Sequence, residues 1–167
     1  MISIPTLTTS RLTLRPIQAA DWDAYHRLMT SDRSIFMGGP FDTTKAWGMF
    51  CADHAQWSLF GCGALMIQNT ASGECLGQVA INSGPLFPEF ELGWYLYPEA
   101  EGYGFAYEAA AALRAWSLDA AHITTLVSYI DAENLRSIGL AKRLGAPLDR
   151  GAQRPDPSDL GYRHYGA

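Results

Sequence analysis

Residues Trp94–Trp116 read W-Y-L-Y-P-E-A-E-G-Y-G-F-A-Y-E-A-A-A-A-L-R-A-W. The predicted order of the structural elements depends on this segment. Its aromatic start continues an alternating run from Glu91, which is typical of a β-strand. Pro98 ends that strand, because it has no N–H for a ladder. The alanine-rich end has apolar residues at helical spacing, and alanine is the best helix former. We therefore predict a strand, a glycine loop and a helix over Phe105–Asp119.

Two glycines, Gly102 and Gly104, lie one residue apart just before this helix. The first turn of a helix carries N–H groups without partners inside the helix, at the positive end of the helix dipole. Glycines there let a bulky anion approach the backbone, so the arrangement suits a phosphate group. The spacing matches neither G-x-G-x-x-G nor the P-loop pattern, and a turn without any ligand fits the same residues.

A second stretch, Ile123–Gly145, reads I-T-T-L-V-S-Y-I-D-A-E-N-L-R-S-I-G-L-A-K-R-L-G, a β-branched strand, an acidic turn and a short helix. Together the two stretches resemble the GNAT family of acetyl-CoA-dependent N-acetyltransferases, and within it the branch of the ribosomal-protein N-terminal acetyltransferases. The family's acetyl-CoA loop, Q/R-x-x-G-x-G/A, is matched by Glu101–Ala106. Tyr107–Ala109 resembles the T-E-A that often follows this loop. The branch's later N-x-x-S is matched by Asn134 and Ser137, and its K-x-G-A/F is matched by Arg143–Ala146.

The predicted elements, taken in order, give a mixed α/β domain. A strand at Arg11–Arg15 precedes two helices, one from an N-cap at Asp21 to about Met29 and one from about Thr43 to Gln56. A hairpin follows over 63–69 and 74–81, with a bulge or close backbone approach at Gly77. After the central unit come a strand at 123–130, a helix at 133–144, a further short strand at 147–150 and a last strand at 160–165.

The length of 167 residues and the 48% hydrophobic content suit one domain with one core, spanning residues 1–167. The GNAT resemblance implies a central, mostly antiparallel mixed sheet flanked by helices. It also implies a splayed gap between the Glu91 strand and the Ile123 strand, into which the pantetheine arm of the cofactor inserts.

Charge and cysteine usage exclude several other classes of protein. A net charge of −5 argues against a general nucleic-acid binder. The sequence has neither a secretory signal nor an apolar run long enough to cross a bilayer, so we expect no membrane partner. Cys51, Cys62 and Cys75 have no C-x-x-C spacing, so we expect free thiols in the cytoplasm and no metal site.

The resemblance implies acetyl-CoA as co-substrate, and no metal. Backbone N–H groups of the glycine loop are expected to bind its pyrophosphate, while the aromatic strand lines its cleft. The predicted cofactor-binding residues are Tyr95, Leu96, Tyr97, Gly102, Tyr103, Gly104, Phe105, Ala106, Asn134 and Ser137. Glu101 departs from the family's Gln or Arg, and a pyrophosphate would repel it, so we expect its carboxylate to point to solvent.

Two residues are candidates for catalysis, Glu91 and Ser137. Amide formation from an amine and a thioester requires a base for the ammonium proton, and the departing thiolate benefits from a proton donor. The resemblance implies a glutamate base on the Glu91 strand, acting directly or through water. A surface carboxylate fits the same pattern.

Asn134 and Ser137 share one helix face. The resemblance implies that Asn134 contacts the pantetheine arm and that Ser137 lies near the thiol, although a helix-start residue and a packing residue fit equally. Ala141 occupies the position where many family members carry a tyrosine acid. That acid is therefore absent, or a group such as Tyr129 replaces it.

We therefore expect an N-acetyltransferase that works by direct transfer in a ternary complex, because no residue of the motif segments resembles a covalent acyl carrier. The alternative is a GNAT-fold module that binds acyl-CoA without turnover, which Glu101 and Ala141 favour. A phosphate transferase is disfavoured, since the glycine loop lacks the P-loop lysine and a metal-binding carboxylate pair. The acceptor amine stays open between a small molecule and a peptide N-terminus, and the protein between a monomer and a homodimer.

Overall fold

The computed structural model describes residues 3–120 and 122–166. They form a seven-stranded sheet whose strands follow one another in chain order, with α-helices on both faces. The strands are β1 (Leu7–Thr8), β2 (Leu12–Arg15), β3 (Ala64–Asn69), β4 (Cys75–Asn82), β5 (Glu91–Leu96), β6 (Leu126–Asp131) and β7 (Asp159–Tyr165). The α-helices are α1 (Trp22–Met29), α2 (Thr43–Phe60), α3 (Phe105–Asp119) and α4 (Leu135–Arg143), with short 3₁₀ helices at Ala19–Asp21, Asp32–Met37 and Pro98–Ala100.

The neighbouring strands are antiparallel except for β5 and β6, which run parallel because α3 crosses over between them. The ladder between these two strands has a single register pair, Glu91 opposite Val127, with Val127 N–H donating to Phe90 O at 3.0 Å. Beyond that pair the strands diverge toward their carboxyl ends. The predicted mixed, mostly antiparallel sheet with a splayed strand pair is therefore confirmed.

Each face of the sheet is buried by different helices. α3 lies on one face, where its small buried residues Ala109 and Ala110 let the helix approach the strands closely, and Leu113 fills the remaining space. α1 and α2 cover the other face, where Tyr25 and Phe50 pack over the alanines of β3 and β4. α4 has a smaller apolar cluster of its own beside β6 and β7.

Most predicted boundaries hold within a few residues, and the exceptions have local causes. α2 continues to Phe60, four residues beyond the predicted end, and stops where Gly61 adopts a left-handed φ of +69°. Its start is as predicted, with Asp42 accepting the Lys45 N–H at 2.7 Å. The predicted cap Asp21 makes no bond to α1, because its carboxylate instead pairs with Arg15 at 2.7 Å.

Two further predictions concern the strands. At Gly77 both predicted features are present, since the β3–β4 register shifts beside it and a Cβ there would lie 2.2 Å from Tyr95 O. The predicted short strand at 147–150 is wrong, because Leu148 makes only an isolated bridge to Tyr162. β6 begins at Leu126, three residues later than predicted.

Candidate active site

A cleft of about 590 Å³ lies beside the carboxyl end of β5. Its walls are β5, the 3₁₀ segment Asp32–Met37, the loop that precedes α3, and α4. A volume of this size lies within the range of ligand pockets. Of the residues predicted to bind cofactor, the cleft is lined by Tyr95, Leu96, Gly102, Gly104, Phe105, Ala106, Asn134 and Ser137.

The loop before α3 has the geometry of an anion cradle. Gly102 and Gly104 have φ values of +87° and +80°, a conformation that side chains rarely adopt. The first helical bond runs from Glu108 N–H to Gly104 O, so the N–H groups at the preceding positions of α3 lack partners within the helix. A Cβ on Gly102 would meet no atom within 4 Å. The donor set and the open space therefore fit a phosphate group.

A network beneath the cradle fixes its position. One oxygen of Glu108 accepts from Thr9 Oγ1 at 2.6 Å and from the Arg11 N–H at 2.9 Å, and its other oxygen pairs with Arg11 Nε at 2.7 Å. Arg11 also donates to Tyr103 O at 3.0 Å. The glutamate of the T-E-A-like segment thus ties the β1–β2 turn to α3, and Arg11 holds the glycine loop.

Glu101 does not point to solvent, contrary to the sequence-based expectation. One of its carboxylate oxygens accepts from Arg33, and the other accepts from Arg136 at 2.7 Å. Arg33 belongs to the 3₁₀ segment and Arg136 to α4, so the three side chains join three walls of the cleft. The cluster of two guanidinium groups and one carboxylate has a net charge of +1. A phosphate nearby would therefore be attracted to the cluster and not repelled by Glu101.

On α4, Asn134 is the N-cap, and its Oδ1 accepts the Ser137 N–H at 3.2 Å. The capping role therefore exists, and the side chain still lines the cleft. Ser137 also lines the cleft and is half-buried. Ala141 is fully buried against the β6–β7 side of the sheet, so this position supplies no acid.

Two residues predicted to contact cofactor lie elsewhere. Tyr97 lines a second, smaller cleft of about 310 Å³ between α1 and the end of β5, and its N–H is bound to Leu76 O at 2.8 Å. Tyr103 is largely exposed and is not part of the cleft lining, because the loop turns its side chain outward at Gly102 and Gly104.

Glu91 is the first residue of β5, and it is the residue of that strand that pairs with β6. Its side chain is 7% exposed and is absent from the lining of the main cleft; it leans over Gly93, where a Cβ would be 3.1 Å from the carboxylate. Asn82 Nδ2 donates to it at 2.6 Å. Burial raises the pKa of Glu91 to about 7, although the hydrogen bonds from Asn82 and the Tyr129 backbone oppose the shift.

Ser128 holds the two strands together where the ladder ends. Its Oγ donates to Leu92 O at 2.5 Å and therefore accepts from His164 Nε2 at 2.9 Å. The Ser128 side chain therefore makes the bond between β5 and β6 that the backbone no longer makes beyond the last ladder pair. Burial, with a smaller contribution from Arg114, lowers the pKa of His164 to about 4, so the imidazole is neutral near pH 7.

A polar network on the α1–α2 face was not found from the sequence. Asp53 of α2 accepts from Gln78 Nε2 at 2.9 Å and from Tyr25 OH at 3.2 Å, and both bonds reach the same oxygen, Oδ2. Gln78 in turn accepts from Tyr95 OH at 3.1 Å, and Tyr95 lines the main cleft. Burial raises the pKa of Asp53 to about 6. The sequence did not predict a role for a carboxylate in the middle of a helix, because the partners of Asp53 come from two distant segments, α1 and β4.

Within residues 3–120 and 122–166, no three His, Cys, Asp or Glu side chains are placed to hold a metal ion. None of the helices in that part of the chain has the length and apolarity to span a membrane. Cys51, Cys62 and Cys75 are free thiols.

Comparison with known proteins gives a consistent result. The family model described as "Acetyltransferase (GNAT) domain" matches residues 11–147. An acetyltransferase from Agrobacterium tumefaciens is 53% identical, with a TM-score of 0.95 over 99% of this chain and 97% of that one.

Two more distant structures share the fold. The ribosomal L7/L12 α-N-protein acetyltransferase RimL, in complex with coenzyme A, is 16% identical with a TM-score of 0.75 over 95% of this chain and 96% of that one. Spermidine N-acetyltransferase from Vibrio cholerae, in complex with CoA and spermine, is 15% identical with a TM-score of 0.71 over 93% of this chain and 94% of that one.

Proposed function

The chain belongs to the GNAT family of acetyl-CoA-dependent N-acetyltransferases, and we propose that it transfers the acetyl group directly to a primary amine in a ternary complex. One observation carries the proposal. The cleft holds an N–H cradle for phosphate at the start of α3, and β5, which forms part of its wall, also carries Glu91, a buried carboxylate with a raised pKa, three residues before the lining residue Trp94.

The cofactor's phosphates bind the N–H groups at the start of α3, and its pantetheine arm lies between β5 and α4. Tyr95 and Leu96 form one wall of this part of the cleft, and Asn134 and Ser137 form the other. The Asn134 side chain uses Oδ1 for its cap, which leaves the Nδ2 donor for an amide of the arm. The thioester then lies near the splayed end of the ladder.

Glu91 removes the proton of the acceptor ammonium, directly or through a water molecule. A base works best when its pKa lies near the working pH, and a value of about 7 meets this condition. The freed amine attacks the thioester carbonyl, and the C–N bond forms as the C–S bond breaks. The second proton that the nitrogen must lose passes to Ser137 Oγ as the Ser137 hydroxyl proton passes to the departing sulfur, so that the serine is regenerated and CoA leaves as the thiol. The proton taken by Glu91 returns to solvent.

Direct transfer is favoured over an acyl-enzyme by the positions of the thiols. Cys51 is exposed on α2, Cys62 is buried in the core, and Cys75 lines the smaller cleft. None of the three lines the main cleft. A cysteine that carried the acyl group would have to lie there.

Acetyl-CoA as co-substrate and a small-molecule or peptide N-terminal amine as acceptor form part of this proposal. A cytoplasmic location and a monomeric or homodimeric state stay predictions from the sequence. The test is release of free CoA thiol in the presence of a panel of primary amines, with mass spectrometry of the acetylated product. We expect amine-dependent release. CoA binding without release with any amine would favour the alternative, an acyl-CoA-binding module.

A further inference from the structure

We infer that Arg33 and Arg136 are phosphate-binding residues of this cleft and that Glu101 is a resident counter-anion which the phosphates of CoA displace. The inference rests on the proposed function, because it concerns the same ligand. It assigns roles to two arginines that the matched motif positions and the cradle geometry do not cover, and a new role to Glu101.

The three side chains lie together in the main cleft. Arg33, Glu101 and Arg136 all line the cleft, and Glu101 immediately precedes the Gly102 of the cradle. The Glu101 backbone is fixed by a bond from its N–H to Pro98 O at 3.3 Å. Its carboxylate therefore holds two arginines, from opposite walls, beside the N–H groups that suit a phosphate.

The two arginines share the charge of one carboxylate. Arg33 and Arg136 each have one carboxylate partner within the described residues, and it is the same one. A pyrophosphate or a 3′-phosphate offers more charge and more acceptor oxygens than one carboxylate, and arginine binds such groups through two parallel bonds. Both guanidinium groups can therefore gain contacts by moving from Glu101 to phosphate.

The ion pairs of Glu101 with Arg33 and Arg136 are weak because they are in contact with solvent. The side chain of Arg136 is 69% exposed, that of Arg33 is 39% exposed, and that of Glu101 is 24% exposed. Ion pairs with this much solvent contact contribute little, typically below about 1 kcal/mol, so a polyanion can replace them. Where the resembling family carries Gln or Arg at this position, this chain supplies the positive charge from two neighbouring segments.

The test is calorimetric titration of CoA into the wild type, Glu101→Gln, Arg33→Gln and Arg136→Gln. Removing the competing carboxylate should lower the Kd of CoA roughly three- to ten-fold, and removing either arginine should raise it by a similar factor. Matched controls are Glu99→Gln and Arg150→Gln, which make the same charge changes at exposed positions outside this cleft. Both should leave the Kd unchanged.

A triple variant, compared with the double variant Arg33→Gln/Arg136→Gln, sharpens the design. The gain from Glu101→Gln should shrink when Arg33 and Arg136 are also replaced by Gln, because no ion pair then remains to be broken. Titration with 3′-dephospho-CoA tells which phosphate the arginines bind. A Kd that is unchanged or raised in Glu101→Gln would overturn the inference while leaving the proposed function intact. Failure of the wild type to bind CoA at all would refute the proposed function itself.

Discussion

Replacement of Glu91 by Gln should separate catalysis from stability, because the structure predicts opposite effects on the two. The side chain is buried and its pKa is raised from the ordinary 4.5 to about 7. The folded protein therefore binds more protons than the unfolded chain between these values, so stability is fully present below pH 4.5 and is lost as the pH rises through 7.

The magnitude follows from the size of this shift. At 1.36 kcal/mol per pKa unit, the ionised carboxylate lowers the free energy of unfolding by about 3 kcal/mol above pH 7. A glutamine has the same shape, stays neutral and can still accept the Asn82 bond. Glu91→Gln should therefore be more stable than the wild type at pH 8, by up to about 3 kcal/mol, and nearly equal to it at pH 4.

Turnover should fall by roughly 10²-fold or more in the same variant, the usual scale for loss of a general base. The acidic limb of the pH–rate profile, expected near pH 7, should flatten. Affinity for CoA should barely change, since Glu91 does not line the cofactor cleft. The assays are denaturant unfolding at pH 4 and pH 8, thiol release against pH, and calorimetry with CoA.

The exposed Glu133→Gln is the matched control and should change none of these quantities. The reasoning would be refuted by turnover like that of the wild type in Glu91→Gln, or by an acid limb that does not move. A variant that is less active and also less stable at pH 8 would make Glu91 a structural residue instead.

Four further predictions concern the cradle, α4 and His164. Gly104→Val should abolish CoA binding, because a branched side chain at φ +80° fills the cradle. Gly145→Val, at φ +77° after the end of α4, should cost stability but keep CoA affinity, and calorimetry with CoA distinguishes the two variants. Ser137→Ala should lower kcat more than it changes the Kd of CoA, and an effect on affinity alone would contradict its role at the sulfur. Asn134→Ala should raise the Kd of CoA and cost about 1 kcal/mol of stability through loss of the cap, measured by denaturant unfolding. His164 should titrate near pH 4 by NMR, contributing stability present above pH 6.5 and lost as the pH falls through 4; a midpoint near 6.5 would contradict the buried Ser128 contact.

The fold was predictable from the sequence where local signals and spacing agreed. The alanine-rich run set both ends of α3 correctly, because Gly104 precedes it and its apolar residues keep helical spacing. The alternating run at Glu91 placed β5, and Gly77 marked a close backbone approach that only a residue without a Cβ permits. Side-chain roles were less predictable where tertiary partners decide: Asp21 occupies the N-cap position of α1 as predicted, but its carboxylate pairs with Arg15 instead of bonding to the helix.

The site was predictable in its motif residues and not in their long-range partners. Glycine spacing identified the cradle, but nothing local showed that Glu101 would meet arginines 68 and 35 residues away. Tyr97 borders the smaller cleft, because alternation along β5 fixes a face of the sheet but not which of two clefts that face borders, and its contact with cofactor stays a prediction. Asp53 was missed because its hydrogen bonds join α1, α2 and β4.

A crystal structure of the protein with acetyl-CoA would show where the cofactor binds. We expect the pyrophosphate on the N–H groups at the start of α3, the pantetheine arm between β5 and α4, and the thioester between Ser137 and Glu91. We also expect that Arg33 and Arg136 have left Glu101 for phosphate oxygens. A cofactor bound outside the cleft between β5 and α4, or bound there with its thioester remote from Glu91, would contradict the proposed mechanism.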